Sequence, residues 1–130
     1  MTLRASQPLA ALLLAALAAS AALAADSPAD QASNKLAREL LQQLIEINTT
    51  DSVGNVTTAA EAMAKRFRDA GFAAADVVVL GPTDKKKNVV VRLRGTGKFK
   101  PVLLMGHLDV VEARREDWNM DPFKLIEKDG

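Results

Sequence analysis

Three short segments in the second half of the chain are apolar on both of their alternating sides: DVVVL (76–80), NVVVRLR (88–94) and PVLLMGH (101–107). Successive side chains of a strand point to opposite faces, so a strand with one wet face alternates apolar with polar. Runs such as VVV and VLLM instead require cover on both sides. The turn signals between them, GPTDKKK (81–87) and a Gly/Lys-rich stretch over 95–100, separate the strands without room for a helix.

The cover has to come from upstream. Leu36, Leu40, Leu41, Leu44, Ile45 and Ile47 recur at helical spacing, with Lys35, Arg38, Glu39, Gln42, Gln43 and Glu46 between them, predicting an amphipathic helix from Asn34 to about Asn48. TTDSVGN (49–55) has the composition of a loop. Thr58 followed by Glu61 has the form of a capping box opening a second helix, whose inner face is Ala60, Met63, Ala64 and Phe67 and whose C-terminal cap is Gly71. Two helices followed by doubly apolar strands predict an α/β domain of three layers with a mixed, largely buried sheet. After the third strand, residues 109–122 (DVVEARREDWNMDP) form a long loop of the kind that often serves function. A short strand at 123–127 follows, and Lys128-Asp129-Gly130 is a hairpin turn signal that implies a returning strand. The domain is therefore expected to be incomplete in this chain.

The N-terminus has a different character. Residues 1–24 carry Arg4 as their only charge, an apolar run from Leu9 to Leu17, and small residues at Ala22 and Ala24, the three parts of a secretory signal peptide with an A-x-A cleavage site. The run is too short for a stable membrane span, which takes roughly 20 apolar residues. The expected organisation is a signal peptide at 1–24, a flexible lead-in at 25–33 and the start of a catalytic domain at 34–130, in a secreted or periplasmic protein. All 16 acidic residues and every basic residue except Arg4 lie beyond Ala24, so the mature part is formally neutral, with no basic stripe for nucleic acid. The chain has no cysteine, which excludes disulfide staples and thiolate metal sites.

The only histidine, His107, ends the third apolar strand and is followed by Leu108 and Asp109. Strand ends of this kind collect ligands in doubly wound sheets. In an extended chain His107 and Asp109 share a face, and a carboxylate there can accept the second ring N–H of a metal-bound imidazole, fixing its tautomer and raising its basicity. An isolated H-x-D triplet is more often a strand-end histidine with an ordinary hydrogen bond. The lysine triplet 85–87 reads as a solvated turn, Glu112, Glu116, Asp117 and Asp121 as solvated loop carboxylates, and Trp118 and Phe123 as anchors of the loop against the core.

The triplet sits in a longer string, LLMGHLDVVEARREDWNMDPFKLIEKDG (103–130). This resembles the first signature of the di-zinc metallopeptidase family that includes glutamate carboxypeptidase, aminoacylase, acetylornithine deacetylase and succinyl-diaminopimelate desuccinylase. The matching positions are Gly106, His107, Asp109, Val110, Val111, Trp118, Pro122, Phe123, Asp129 and Gly130, and with the upstream order of elements the resemblance extends over about residues 33–130. Glu112 departs from it, since many members have proline there. The resemblance implies a zinc-exopeptidase-like fold and His107 as a ligand of one zinc. It implies Asp109 as the aspartate that clamps this histidine and is counted as catalytic. It also implies a two-zinc cofactor for which cobalt or manganese substitutes, and hydrolysis of an amide bond next to a free carboxylate in a peptide or N-acyl amino acid. The remaining ligands and the general base come later in such chains, as does a second domain through which members form homodimers. The expectation is a hydrolase in the parent and an inactive fragment here. The alternatives are a non-catalytic exported binding module that keeps the scaffold, or an unrelated α/β domain with a structural histidine.

Overall fold

The computed structural model describes residues 27–129. The expected signal peptide therefore lies outside the described residues. No helix among the described residues is long and apolar enough to cross a membrane. The chain divides into two units, residues 1–38 and 39–130.

Helix α1 runs Pro28–Ile45 and begins in the stretch expected to be a flexible lead-in. Its start has a local cause. The Ser27 hydroxyl accepts from the Asp30 N–H at 3.2 Å, while the Asp30 carboxylate accepts from the Ser27 N–H at 3.2 Å and from its hydroxyl at 2.7 Å. This reciprocal capping box is followed by proline at the first helical position, where no N–H is needed. No residue of α1 is fully buried, and Leu36 and Leu41 remain half exposed.

Helix α2, Val56–Asp69, starts earlier than the expected box at Thr58. Its N-cap is Asn55, whose side chain accepts from the Thr58 N–H at 3.3 Å. Asparagine ranks above threonine at this position, and it stands three residues ahead of the N–H it satisfies. The other end is as expected. Gly71 lies in the left-handed region at φ +92°, Gly71 N–H donates to Arg68 O at 3.0 Å, and Phe72 N–H to Phe67 O at 3.1 Å. Phe67 and Phe72 then meet edge to face, ring centroids 5.3 Å apart, which completes a Schellman motif with its apolar contact.

After a single 3-10 turn at Ala74–Asp76, strands β1 (Val77–Leu80) and β2 (Asn88–Val91) pair antiparallel, with Val77 opposite Val91 and Val79 opposite Val89. Helix α2 packs on both strands. The fully covered residues are small: Ala59, Ala60 and Ala64 of α2 have no exposure, and Met63 and Val77 complete the core. Alanines along one helix face let the backbone of α2 approach the hairpin closely. The open end of the hairpin is latched by Arg94, whose Nε and Nη2 reach the Asp76 carboxylate at 3.0 and 2.7 Å.

The protein is thus mixed α/β, but its sheet is smaller than the sequence suggests. It is a two-stranded antiparallel ribbon covered on one face. Val78, Leu80 and Val90 on the other face are 40–53% exposed. The strands expected at 101–107 and 123–127 do not form. A doubly apolar strand is stable only with neighbours along its edges and layers on both faces, and among the described residues nothing takes those places beside Val102, Leu103, Leu104 and Met105, which are 78–88% exposed.

Candidate functional site

The loop between the two helices is the rigid part of the site. Asn48 Oδ1 accepts from the Thr50 N–H at 3.0 Å and from its hydroxyl at 2.8 Å, an Asx turn at the end of α1. Gly54 N–H donates to Thr50 O at 3.0 Å and Asn55 N–H to Asn48 O at 2.9 Å, which closes the loop on itself. Thr49 and Thr50 are buried beneath it. The closure needs glycine at 54, since a Cβ there would stand 2.3 Å from Thr50 N and 2.5 Å from Thr50 O.

Two other segments are tied to this loop. The turn between the strands, read from sequence as merely solvated, is held by Thr57 N–H to Lys85 O at 3.3 Å, by Lys87 N–H to the Thr57 hydroxyl at 3.1 Å, and by the Lys86–Asp51 ion pair at 2.5 Å. Hydrogen bonding and charge from Lys86 pull the Asp51 carboxyl below the ordinary aspartate range. The hydrogen bond that Lys86 donates to Asp51, with the charge of Asp51 and then that of Asp109, raises the Lys86 ammonium above the ordinary lysine range. On the other side, Val110 N–H points to Thr49 O at 3.4 Å, and the Glu112 carboxylate accepts from the Ser52 N–H at 3.0 Å and from its hydroxyl at 2.8 Å.

These ties bring His107 and Asp109 to a cavity of about 310 Å³ walled by Thr49 to Asp51, Gly54 and Val56 on one side and by Pro82 and Lys85 to Asn88 on another. That volume is at the small end for a small-molecule site. His107 Nδ1 lies 2.8 Å from the backbone carbonyl of Asp109 and 3.3 Å from its carboxylate Oδ1. A carbonyl oxygen only accepts, so Nδ1 carries the proton and the lone pair of the neutral ring is on Nε2. The pairing of His107 with residue 109 is therefore as expected, but the closer acceptor is the main chain of Asp109, with its carboxylate second. Both side chains are largely exposed, 84% and 69%.

The other acidic residues of the loop are engaged within it. Asp121 Oδ1 accepts from the Phe123 N–H at 2.9 Å, and Glu116 and Asp117 belong to a 3-10 turn at Arg115–Asp117. Trp118 and Phe123 line a groove of about 200 Å³ together with Leu44, Ile45 and Ile47, so they lie against the apolar end of α1. Trp118 stays 45% exposed. Sequence reasoning missed the contribution of Ser52, Asp51 and the lysine turn. Only the long-range partners of Glu112 and Lys86, 60 and 35 residues away, reveal it.

A catalytic zinc ordinarily takes three protein ligands. Among the described residues no three His, Cys, Asp or Glu side chains converge to hold a metal ion. The donor set present, one imidazole with its Nε2 free and one carboxylate beside it, does not close a zinc site by itself. Comparison of the chain with family models, with curated proteins and with solved structures returns no match.

Proposed function

We propose that this chain carries part of the metal site of an exported metal-dependent amide hydrolase, and that His107 is a ligand contributed to a centre completed by residues other than those described. The finer architecture that goes with this proposal is the three-layer zinc-exopeptidase-like domain. The substrate class is an amide next to a free carboxylate, in a peptide or an N-acyl amino acid, and the metal is zinc, two ions in the complete site. The observation that supports it is the state of the imidazole. Within the G-H-L-D-V-V string, His107 has its Nδ1 proton engaged by Asp109, so its basic Nε2 is the nitrogen offered to a ligand, beside a cavity of small-molecule size. A metal-bound histidine has its other ring nitrogen tied in the same way.

Zinc titration of a chain continued beyond Gly130, followed by the His107 imidazole ¹⁵N resonances, tests the ligand role. The expected result is a zinc-dependent shift at Nε2 that disappears in His107→Ala, and an imidazole indifferent to zinc would overturn it. In parallel, the 130-residue chain is expected to hydrolyse neither dipeptides nor acetyl-amino acids in the presence of zinc; clear turnover would show that the centre is complete within it. The lack of a three-ligand cluster among the described residues favours a second reading, an exported binding module that keeps the scaffold without catalysis. The coding DNA beyond Gly130 separates the two. A continuation supplying further histidines and carboxylates supports the hydrolase, and a genuine stop supports the module.

A further inference from the structure

We infer that Glu112 is a positioning residue for His107, acting through a two-pronged clasp on Ser52; the inference rests on the reading of His107 as the site's donor group. The stretch around His107 belongs to no strand, so the sheet does not hold it. Among the described residues, its hydrogen bonds to the helix-to-helix loop are the backbone contact of Val110 with the buried Thr49 and the exposed clasp of Glu112 on Ser52. Both end on the same closed loop, which the Asx turn at Asn48, the Gly54 and Asn55 hydrogen bonds and the N-terminus of α2 make rigid. The 3.4 Å backbone contact is long, whereas the two bonds to Glu112 are 3.0 and 2.8 Å and charge-assisted. A carboxylate accepting from both the N–H and the hydroxyl of one serine fixes the distance and the direction of the strap. The strap in turn sets where Asp109 O meets His107 Nδ1. Glycine at 54 belongs to the same device, since it lets the loop close far enough to present Ser52.

The position is also where the sequence departs from its resemblance, with glutamate in place of proline. Proline there would have no carboxylate for Ser52, so the clasp is a property of this chain rather than something the resemblance supplies.

The 130-residue chain has one histidine, so its imidazole nitrogens are assigned without ambiguity. In the neutral ring, the wild type is expected to hold the proton on Nδ1. Glu112→Ala should lower the ratio of Nδ1–H to Nε2–H tautomer by about 3- to 10-fold, the equivalent of one typical net hydrogen bond. Glu112→Gln, whose amide can still accept from the Ser52 N–H while donating to its hydroxyl, should restore most of the ratio. The amide resonances of Ala59, Met63 and Val77 report whether the α2–hairpin core is intact. If Glu112→Ala disturbs that core, Ser52→Ala, which removes only the hydroxyl, decides the matter and should shift the ratio in the same direction. An unchanged tautomer ratio in a folded Glu112→Ala protein, or in Ser52→Ala, overturns the inference. Zinc binding at Nε2 is read separately. A tautomer that follows Glu112 in a protein indifferent to zinc leaves the clasp standing and removes the hydrolase proposal, and the converse removes the clasp alone.

Discussion

Replacing Gly54 by alanine asks how tightly the helix-to-helix loop is closed. The added Cβ would meet Thr50 N at 2.3 Å, Thr50 O at 2.5 Å and Thr49 C at 2.7 Å. Ordinary carbon contacts start near 3.5 Å, so the overlap is about an ångström, and it falls on main-chain atoms that cannot rotate away. Thr49 and Thr50 are buried, so the backbone has little room to yield inward. Overpacking of this kind costs about 1–3 kcal/mol. Opening the loop to relieve it gives up the Gly54–Thr50 and Asn55–Asn48 hydrogen bonds, each worth about 1 kcal/mol net. The expected loss is about 3 kcal/mol, a large part of the 5–15 kcal/mol that ordinarily holds a domain together.

Urea unfolding followed by far-ultraviolet circular dichroism measures it, with Gly95→Ala as the control, since a Cβ at Gly95 meets nothing within 4 Å. The control should lie within about 0.5 kcal/mol of wild type, as surface substitutions do. A Gly54→Ala protein as stable as that control would show that the loop is not closed as described, and the account of how Ser52 is presented to Glu112 would go with it.

Asn55→Ala should destabilise the chain by about 1 kcal/mol in the same assay, through loss of the cap on Thr58 N–H; no loss would return the start of α2 to Thr58. Asp76→Asn should flatten the acid side of the stability profile. Hydrogen bonding from Arg94 holds the Asp76 carboxyl below the ordinary aspartate range, so its contribution is present above that range and is lost as pH falls through the lowered value. A wild type whose stability between pH 7 and pH 4 matches that of the asparagine variant, and falls no more steeply in acid, would show that the Arg94 latch is not made in solution.

Features that depend on nearest neighbours were legible in the amino-acid order. The turn at 81–87 between two valine-rich strands, and the end of α2 at Gly71, needed only a turn composition and a left-handed residue. The N-termini were displaced because stronger caps stood just upstream. Ser27-Pro28-Ala29-Asp30 and Asn55 are both readable signals once helix starts are sought ahead of the first apolar residue. The sheet was overestimated for a different reason. Apolar periodicity states what a segment needs, not what it has, and residues 102–105 have the composition of a buried strand without the partners that would make one.

The same distinction separates His107 from Glu112. The sequence shows His107 as the one imidazole of the chain, and two-residue spacing leads to Asp109; yet the atom that settles the tautomer is the Asp109 carbonyl, which every residue possesses and no motif records. Glu112 looked like one of several solvated carboxylates because its partner is 60 residues away. Among the acidic residues of this loop, Asp121 turns back on its own neighbour, whereas Glu112 reaches across to Ser52 in the loop between the helices. A side chain that binds no ligand can therefore govern where the donor nitrogen points. Metal affinity at such a site follows how its ligand is held as much as which ligand it is, with second-partner mutations costing about 10–100-fold. If the clasp is the fixed point, zinc affinity in a completed centre should fall on Glu112→Ala and be largely recovered with Glu112→Gln, while Asp121→Ala, a substitution in the same loop, should leave it where it was.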